Sequence, residues 1–258
     1  MPNMDLRVGD SVELAKTLSD ESIDCTVTSP PYNKCGVGGG LFRKIEYAEF
    51  DDTLPEVDYQ AQQIELLDVI HDKTKEGGSL FYNHKIRYNK GDAISPWEWL
   101  TSTKWNIREE IVWNRGSGPE ISGYRFIQTD ERIYWLCKGT KHPRLPRRSA
   151  NWTSVWKFGP EMKNPHPAPY PIQLPSRCIQ AVLSEPGLVL DPYSGSGTTG
   201  LAAQLLGHDY IGFDLSNEYH DMARERFDNP SKNDLRKFTE ECGDVVTDTD
   251  VFSISESV

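Results

Sequence analysis

Hydrophobic and polar positions show two kinds of pattern along this chain. Apolar residues at helical spacing predict helices, and short apolar runs that end at turn residues predict buried strands. The predicted strands cover residues 6–8, 23–27, 79–82, 107–113, 132–137, 188–191 and 210–214. The predicted helices cover residues 11–18, 55–75, 97–103, 172–183, 201–206 and 217–227, and Gly77 and Gly78 are expected to end the helix at 55–75.

The order of these elements predicts an α/β fold with a mostly parallel, doubly wound sheet, because its strands alternate with helices. The strands at 107–113 and 132–137 are expected to form an antiparallel pair at one edge. We predict a single domain over residues 1–258. Within it, residues 115–165 are rich in Gly, Pro, Arg and Trp, which favours irregular recognition loops. The acidic tail at 229–258 is expected to be loosely ordered.

Charge is distributed unevenly over the 258 residues. A formal net charge of −11 is unusual for a nucleic-acid-binding protein, whose affinity comes largely from phosphate contacts. Two segments nevertheless contain basic residues and no acid, so local patches matter more than net charge. The candidate phosphate contacts in these segments are Lys85, Arg87, Lys138, Lys141, Arg144, Arg147 and Arg148. Solvated loops are the alternative interpretation.

Other classes of protein are disfavoured by composition. No run of about 18 apolar residues is present, so we expect no membrane span. The first residues lack a basic and apolar leader, so we expect a cytoplasmic protein. The 5 cysteines are odd in number and scattered. They include no Cys-x-x-Cys pair, which favours a reducing compartment and argues against a zinc site.

A rigid corner follows the predicted strand at 23–27, with the sequence Ser29, Pro30, Pro31 and Tyr32. Two consecutive prolines cannot continue a strand or enter a helix interior, so the chain must leave the sheet in a fixed extended turn. The corner combines a hydroxyl, carbonyl oxygens and an aromatic ring. That combination suits a planar base with an exocyclic amine. A proline turn with a packed tyrosine is the alternative for this motif by itself.

A glycine-rich turn at 195–200 has the spacing G-x-G-x-x-G between a predicted strand and a predicted helix, and Asp214 ends the next strand. This arrangement is typical of adenosine-containing cofactors, because the glycines allow close approach and the acid binds ribose hydroxyls. A nicotinamide dehydrogenase would share it. Too few apolar residues follow Gly200 for a second mononucleotide-binding half, so upstream strands must complete the sheet. Ligands bind beyond the carboxyl ends of parallel strands, and both motifs should therefore face one cleft.

Residues 28–32 and 191–199 together resemble the amino-group DNA methyltransferases of the permuted beta class. In that family the catalytic motif precedes the target-recognition region and the S-adenosylmethionine motif. The resemblance covers nearly all of residues 5–228, with further matches at residues 9–10, 113–116 and 166–171. It implies a Rossmann-like methyltransferase fold with circularly permuted motif order, S-adenosyl-L-methionine as cofactor, and double-stranded DNA as partner.

The resemblance also assigns roles to individual residues. The catalytic residues it implies are Ser29, Pro30, Pro31 and Tyr32. The cofactor-binding residues it implies are Asp10, Asp191, Pro192, Tyr193, Ser194, Gly195, Gly197, Thr198 and Asp214. Ser29 and the Pro30 carbonyl would accept the hydrogens of the amine, while Tyr32 would stack on a base rotated out of the duplex. A helix cap is the alternative role for Asp10.

Two positions depart from the family pattern, and the base that receives the methyl group is left open by the family resemblance. Tyr170 stands where a lysine is commoner, and Tyr193 stands where phenylalanine is usual. Serine at the position of Ser29 goes most often with cytosine N4, so we expect transfer to that amine, with adenine N6 as the alternative. An NAD-dependent dehydrogenase and a non-catalytic DNA-binding relic are more distant alternatives. Candidate partners besides DNA are a second copy of the chain and a cognate restriction endonuclease.

Overall fold

An eight-stranded sheet forms the centre of the part of the chain that the structure describes, which is residues 1–33, 54–89, 91–116, 123–139, 145–146, 149–161 and 169–242 of a computed structural model. Its strands are β1 (Met4–Val8), β2 (Ile23–Thr28), β3 (Thr74–His84), β6 (Asn106–Asn114), β7 (Asp130–Cys137), β8 (Val155–Lys157), β9 (Leu188–Asp191) and β10 (Asp209–Asp214). A separate hairpin pairs β4 (Arg87–Asn89) with β5 (Asp92–Ile94).

Helices cover both faces of the large sheet. They are α1 (Ser11–Lys16), α2 (Glu56–Lys73), α3 (Trp97–Leu100), α4 (Gln173–Val182), α5 (Thr198–Leu205), α6 (Asn217–Asp228) and α7 (Lys232–Cys242). One apolar core joins α4, α5, α6 and α7 to one face of the sheet, and a second joins α1, α2 and α3 to the other. Neighbouring strand residues alternate between these cores, as Val189 and Leu190 do, because successive strand side chains point to opposite faces.

The sheet has the order β1-β10-β9-β2-β3-β7-β6-β8. The first five strands are parallel neighbours, β7 is antiparallel to both β3 and β6, and β8 returns parallel to β6. The predicted mostly parallel α/β sheet with an antiparallel pair toward one edge is confirmed. The late strand β9 lies between β10 and the early strand β2, so upstream strands do complete the sheet.

The predicted end of the long helix was wrong. Helix α2 ends at Lys73, and Gly77 and Gly78 lie inside β3. The register between β2 and β3 shifts between Ile23 and Cys25, which marks a bulge. A Cβ on Gly78 would meet the Thr74 side chain at 2.4 Å. The glycines therefore permit a bulged strand here and do not terminate a helix.

The prediction of a loosely ordered tail was wrong for residues 232–242, which form α7. Phe238 is buried there at 2 % exposure, and Arg177 of α4 pairs with Glu241 through a bond of 2.5 Å from Nε to Oε1. The high charge of this segment concealed an apolar stripe, since Phe238 and Cys242 are one helical turn apart and both face the core. Residues 243–258 lie outside the described part.

The range 115–165 contributes to the sheet as well as to loops, because both β7 and β8 fall inside it. Strand β8 and the β4–β5 hairpin were not predicted, since each strand has only three residues. A role for this range in target recognition stays a prediction. Within the described ranges, no helix combines the length and the apolar character that crossing a membrane requires.

Candidate active site

The rigid corner and the glycine-rich turn begin at the carboxyl ends of neighbouring strands. Thr26 of β2 pairs with Leu190 of β9. Two residues further on, the Thr28 hydroxyl donates to Asp191 Oδ1 at 2.9 Å. The parallel pairing therefore places Ser29 beside the turn that starts at Asp191. This juxtaposition agrees with the expectation that the two motifs meet at the carboxyl ends of the strands.

Three contacts hold the corner itself. Ser29 Oγ lies 2.8 Å from the Tyr32 hydroxyl. The Tyr59 hydroxyl of α2 donates to the Pro31 carbonyl at 2.9 Å. Asn33 has a left-handed backbone with φ of 52°, and its amide donates to Leu54 O at 2.9 Å. Asparagine tolerates this conformation better than most residues, so the chain can turn sharply directly after Tyr32.

A buried carboxylate lies behind the corner, and sequence reasoning missed it. The Tyr32 hydroxyl donates to Glu131 Oε2 at 3.1 Å. Asn83 Nδ2 lies 2.8 Å from the Tyr32 hydroxyl and 3.0 Å from Glu131 Oε2. Arg115 Nη1 at 3.0 Å and Lys85 Nζ at 3.5 Å flank the other oxygen, Oε1. These residues come together because β7 runs antiparallel to both β3 and β6. The start of β7 therefore lies beside the carboxyl ends of β3 and β6, at the end of the sheet where Ser29 follows β2.

The ring of Tyr32 is not presented to solvent. It is 8 % exposed, and its centroid is 4.5 Å from that of His84. His84 Nε2 in turn lies 2.9 Å from the Tyr59 hydroxyl. Stacking of Tyr32 on an extruded base therefore stays a prediction, and the ring would have to become more exposed to do so.

Asp191 makes its side-chain hydrogen bonds within the protein, and its predicted contact with the cofactor stays a prediction. It is fully buried, and each carboxylate oxygen accepts two hydrogen bonds. Oδ1 accepts from Thr28 at 2.9 Å and from the Tyr193 N–H at 3.0 Å, and Oδ2 accepts from Tyr170 at 3.0 Å and Thr199 at 2.6 Å. Burial raises the pKa of Asp191, and these four donors oppose that shift. Through these four bonds Asp191 links β9 to β2 and α5.

The glycine-rich turn is bonded to the acid that ends β10. Gly195 and Gly197 have left-handed backbones with φ of 49° and 75°. The Gly195 N–H donates to Asp214 Oδ2 at 2.9 Å, and the Ser216 N–H donates to Oδ1 at 2.9 Å. The partly exposed Asp214 carboxylate is thereby fixed beside the turn. A fixed carboxylate is suited to accept hydrogen bonds from ribose hydroxyls.

The other residues predicted for this turn direct their polar atoms into the protein. Pro192 O accepts from Ser11 at 2.6 Å, and the Tyr193 hydroxyl accepts from Gln63 at 3.1 Å. Burial raises the pKa of Tyr193 to about 12. Ser194 Oγ accepts from the Tyr210 hydroxyl at 2.9 Å. Their side-chain hydrogen bonds shape the turn, and direct contact with a cofactor would fall to their backbones or to the Tyr193 ring.

An arginine that the sequence did not single out supports the turn from behind. Arg226 Nη1 on α6 donates to Ser196 O at 2.7 Å and lies 3.1 Å from Thr198 Oγ1. Its Nη2 pairs with Asp234 Oδ1 of α7 at 3.3 Å. Helix α7 therefore contributes to the stability of the turn.

Asp10 caps a helix in this structure. Its Oδ1 accepts from the N–H groups of Val12 at 2.9 Å and Glu13 at 3.0 Å, at the start of α1. Val8 pairs with Asp214 in the sheet, so Asp10 and Asp214 follow neighbouring strand ends. The cap was the alternative interpretation of Asp10, and a cofactor contact by the same carboxylate stays a prediction.

Two of the predicted phosphate contacts are corrected. Arg87 is 5 % exposed, and its guanidinium makes two bonds of 2.6 Å to Glu56 while stacking over Tyr59. Lys138 donates to Thr74 O at 2.7 Å, at the opposite end of β3 from the corner. Arg87 is held in a buried ion pair and Lys138 lies at the far end of β3, and both facts argue against phosphate contacts near the site.

The remaining basic candidates divide into two groups. Lys85 is described, and its partner is Glu131 at 3.5 Å. Lys141, Arg144, Arg147 and Arg148 lie outside the described residues, as do residues 166–168 of the last family match.

In the described ranges, no three His, Cys, Asp or Glu side chains are grouped as a metal site would need.

The chain is similar in sequence to a family of DNA methylases and to individual methyltransferases. Residues 23–225 match the family model N6_N4_Mtase, described as DNA methylase. The chain is 29% identical to the type II methyltransferase M.SmaI of Serratia marcescens, covering 85% of this chain and 89% of that protein. It is 28% identical to the type II methyltransferase M.ScaI of Streptomyces caespitosus, covering 85% and 80% respectively.

Solved structures share the fold. The PvuII cytosine-N4-specific DNA methyltransferase superposes with a TM-score of 0.70 at 22% identity, covering 93% of this chain and 91% of that one. The SAM complex of M1.HpyAVI superposes with a TM-score of 0.58 at 22% identity, covering 86% and 99%. At such identity, the similarity to these structures concerns the fold.

Proposed function

The chain belongs to the N6_N4_Mtase family of DNA methylases, and on that premise we propose that it transfers a methyl group from S-adenosyl-L-methionine to the N4 amine of cytosine in double-stranded DNA. The observation that carries the proposal is the Ser29 hydroxyl, placed beside the cofactor turn by the 2.9 Å bond between Thr28 and Asp191. The serine at position 29, where serine goes most often with cytosine N4, supports this choice of amine. Adenine N6 is the alternative, and family membership sets the dehydrogenase alternative aside.

The residues at the ends of β1, β9 and β10 fit S-adenosyl-L-methionine. Asp214 is a partly exposed carboxylate that can accept from ribose hydroxyls. Gly195 and Gly197 have positive φ angles and no Cβ atoms, so a ligand can approach their backbone closely. Asp10 follows the neighbouring strand end. When bound, the cofactor supplies an electrophilic methyl group on a sulfonium.

The corner prepares the amine for attack. An exocyclic amine is a poor nucleophile, because its lone pair is delocalised into the ring of the base. Ser29 Oγ and the Pro30 carbonyl accept its two hydrogens, which favours a pyramidal nitrogen with an available lone pair. Tyr59 holds the corner in place through the Pro31 carbonyl at 2.9 Å. Positioning and preorganised hydrogen bonding of this kind can lower a barrier by several kcal/mol.

Incubation with labelled S-adenosyl-L-methionine and mixed-sequence duplex DNA, followed by nucleoside analysis, tests the proposal. We expect label in N4-methylcytosine. Label in N6-methyladenine would overturn the assignment of the base and keep the class of reaction. A protein that binds DNA and transfers no methyl group would be the non-catalytic relic. As a control on the cofactor, S-adenosylhomocysteine should raise the melting temperature and NAD should not.

The loop before β7 is a candidate DNA-contacting surface at the same edge of the sheet as Ser29. Tyr124 is 101% exposed and Phe126 is 99% exposed, and Arg125 between them lies 4.3 Å over the ring of Tyr88. Exposed aromatic rings beside an arginine suit contacts with bases and phosphates. We propose that this loop, and not Arg87, carries a contact to the DNA backbone.

Paired substitutions of Arg125 and Arg87 separate the two roles. Arg125→Ala should weaken DNA binding about equally for all sequences and reduce the slope of log K against log salt by roughly one. Arg87→Ala should leave that slope unchanged and lower the free energy of unfolding by about 3 kcal/mol, because it leaves Glu56 without its cationic partner. Urea unfolding and salt-dependent binding measure both. A smaller slope in Arg87→Ala alone would contradict the correction.

Further partners and the location in the cell stay proposals. The type II names of the relatives support a cognate restriction endonuclease. A homodimer is proposed as well, and the molar mass in solution tests it. We retain the cytoplasm of a prokaryotic or virally infected cell as the expected compartment.

A further inference from the structure

We propose that Glu131 is the terminal proton acceptor of methyl transfer, reached from Ser29 through the hydroxyl of Tyr32. The inference rests on the proposed function, since it concerns the proton that the attacked amine must lose. Glu131 does not touch the base in this scheme. It is a positioning residue that acts through two hydroxyl groups.

The hydrogen bonds behind Ser29 have a defined direction. The Tyr32 hydroxyl has one hydrogen, which it donates to Glu131 Oε2 at 3.1 Å. An ionised carboxylate can only accept. The 2.8 Å contact between Ser29 and Tyr32 must then have Ser29 as the donor. The hydrogen of Ser29 consequently points away from the substrate side, and a lone pair of its oxygen is left to accept from the amine.

Asn83 reinforces that direction. Its Nδ2 group carries hydrogens only, and it lies 2.8 Å from the Tyr32 hydroxyl, 3.0 Å from Glu131 Oε2 and 3.3 Å from Ser29 Oγ. The two hydrogens of Asn83 Nδ2 are shared among these three oxygens. The nitrogen accepts no hydrogen bond, so it does not compete for the hydrogens that run from Ser29 to Glu131. The Asn83 side chain is 1 % exposed, so solvent water does not take over its hydrogen bonds to these oxygens.

The two oxygens of Glu131 have different surroundings. Oε1 faces the cations Arg115 at 3.0 Å and Lys85 at 3.5 Å, and Oε2 faces Tyr32 and Asn83. Glu131 is 6 % exposed, so the cations compensate a charge that burial would otherwise penalise.

The proton balance closes within these residues. As the carbon–nitrogen bond forms and the carbon–sulfur bond of the donor breaks, the amine nitrogen acquires a positive charge. That nitrogen gives a proton to Ser29 Oγ, Ser29 gives its own proton to Tyr32, and Tyr32 gives its proton to Glu131. The products are a neutral methylated amine and a protonated Glu131.

Single-turnover methylation of duplex DNA by variants of both relay residues tests the inference. Glu131→Gln keeps an oxygen for Tyr32 but cannot take the proton, and Tyr32→Phe keeps the ring but removes the link. Each should lower the rate about 100-fold, within the range for lost acid–base catalysis. Dissociation constants for DNA and S-adenosyl-L-methionine should not change. The rate of Glu131→Gln should rise with pH, since hydroxide must then take the proton.

A double variant distinguishes a relay from separate structural effects. Glu131→Gln combined with Tyr32→Phe should be no slower than either alone, because both interrupt the same chain. Glu110→Gln is a matched control, since Glu110 is a carboxylate of neighbouring β6 paired with Arg132. It should methylate at the wild-type rate. Urea unfolding checks that each variant is folded, and Tyr32→Phe alone decides the question if Glu131→Gln is not.

The outcomes separate this inference from the proposed function. A wild-type protein without methyl transfer would overturn both. An active wild-type protein with a fast Glu131→Gln variant, or with additive losses in the double variant, would overturn the relay and leave the reaction in place.

Discussion

Replacement of Ser29 by alanine should remove most methyl transfer and leave cofactor binding intact. The hydroxyl is the acceptor that faces the amine, and its contacts are with Tyr32 and Asn83. Loss of one preorganised hydrogen-bonding group at a reacting centre typically costs about 100- to 1000-fold in rate. The cofactor turn depends on Asp191 and Asp214 instead, so the dissociation constant for S-adenosyl-L-methionine should stay near the wild-type value.

Ser22→Ala is the matched control for that experiment. Ser22 lies at the other end of β2, where its hydroxyl donates to Ser19 O at 2.7 Å. It should reduce neither the single-turnover rate nor cofactor binding. Near-normal turnover of Ser29→Ala would refute the assignment of this corner as the amine-binding site, whatever base is modified.

Gly197→Ala should abolish cofactor binding and destabilise the fold. The backbone there has a φ of 75°, which costs an L-residue about 1 kcal/mol. An added Cβ would also lie 2.6 Å from the Ala223 Cβ and 3.0 Å from the Phe227 ring, which are both packed against the turn. Overpacking of this kind adds roughly 2 kcal/mol. The turn must shift to relieve the contact, and Gly195 and Asp214 would shift with it.

Gly207→Ala separates strain from packing in that prediction. Gly207 has a φ of 81°, and nothing lies within 4 Å of the Cβ it would acquire. It should lose about 1 kcal/mol and bind the cofactor normally. Urea unfolding and cofactor titration of both variants provide the comparison. Equal losses of stability in the two variants would show that close packing at Gly197 is unimportant.

Local sequence was a poor guide to the environment of charged residues. Arg87 and Lys138 both stand in basic segments, yet Glu56 neutralises one and the other binds a carbonyl at the far end of β3. Their partners are distant in the sequence, so no local pattern could reveal them. Helix α7 was missed for a related reason. The segment is highly charged, and its apolar stripe stabilises a helix only when it packs against α4.

The sequence by itself determined the rigid corner at Ser29, the glycine-rich turn and most of the sheet. Proline stereochemistry, glycine spacing and apolar periodicity act over a few residues, so they can be interpreted without a structure. Only the tertiary structure decided what lies behind Ser29. Glu131 follows it by about a hundred positions in the chain, and the two meet because β7 runs antiparallel to β3. The tertiary structure likewise showed that Asp191 is a buried link between strands, since saturation of a carboxylate depends on donors from four separate positions.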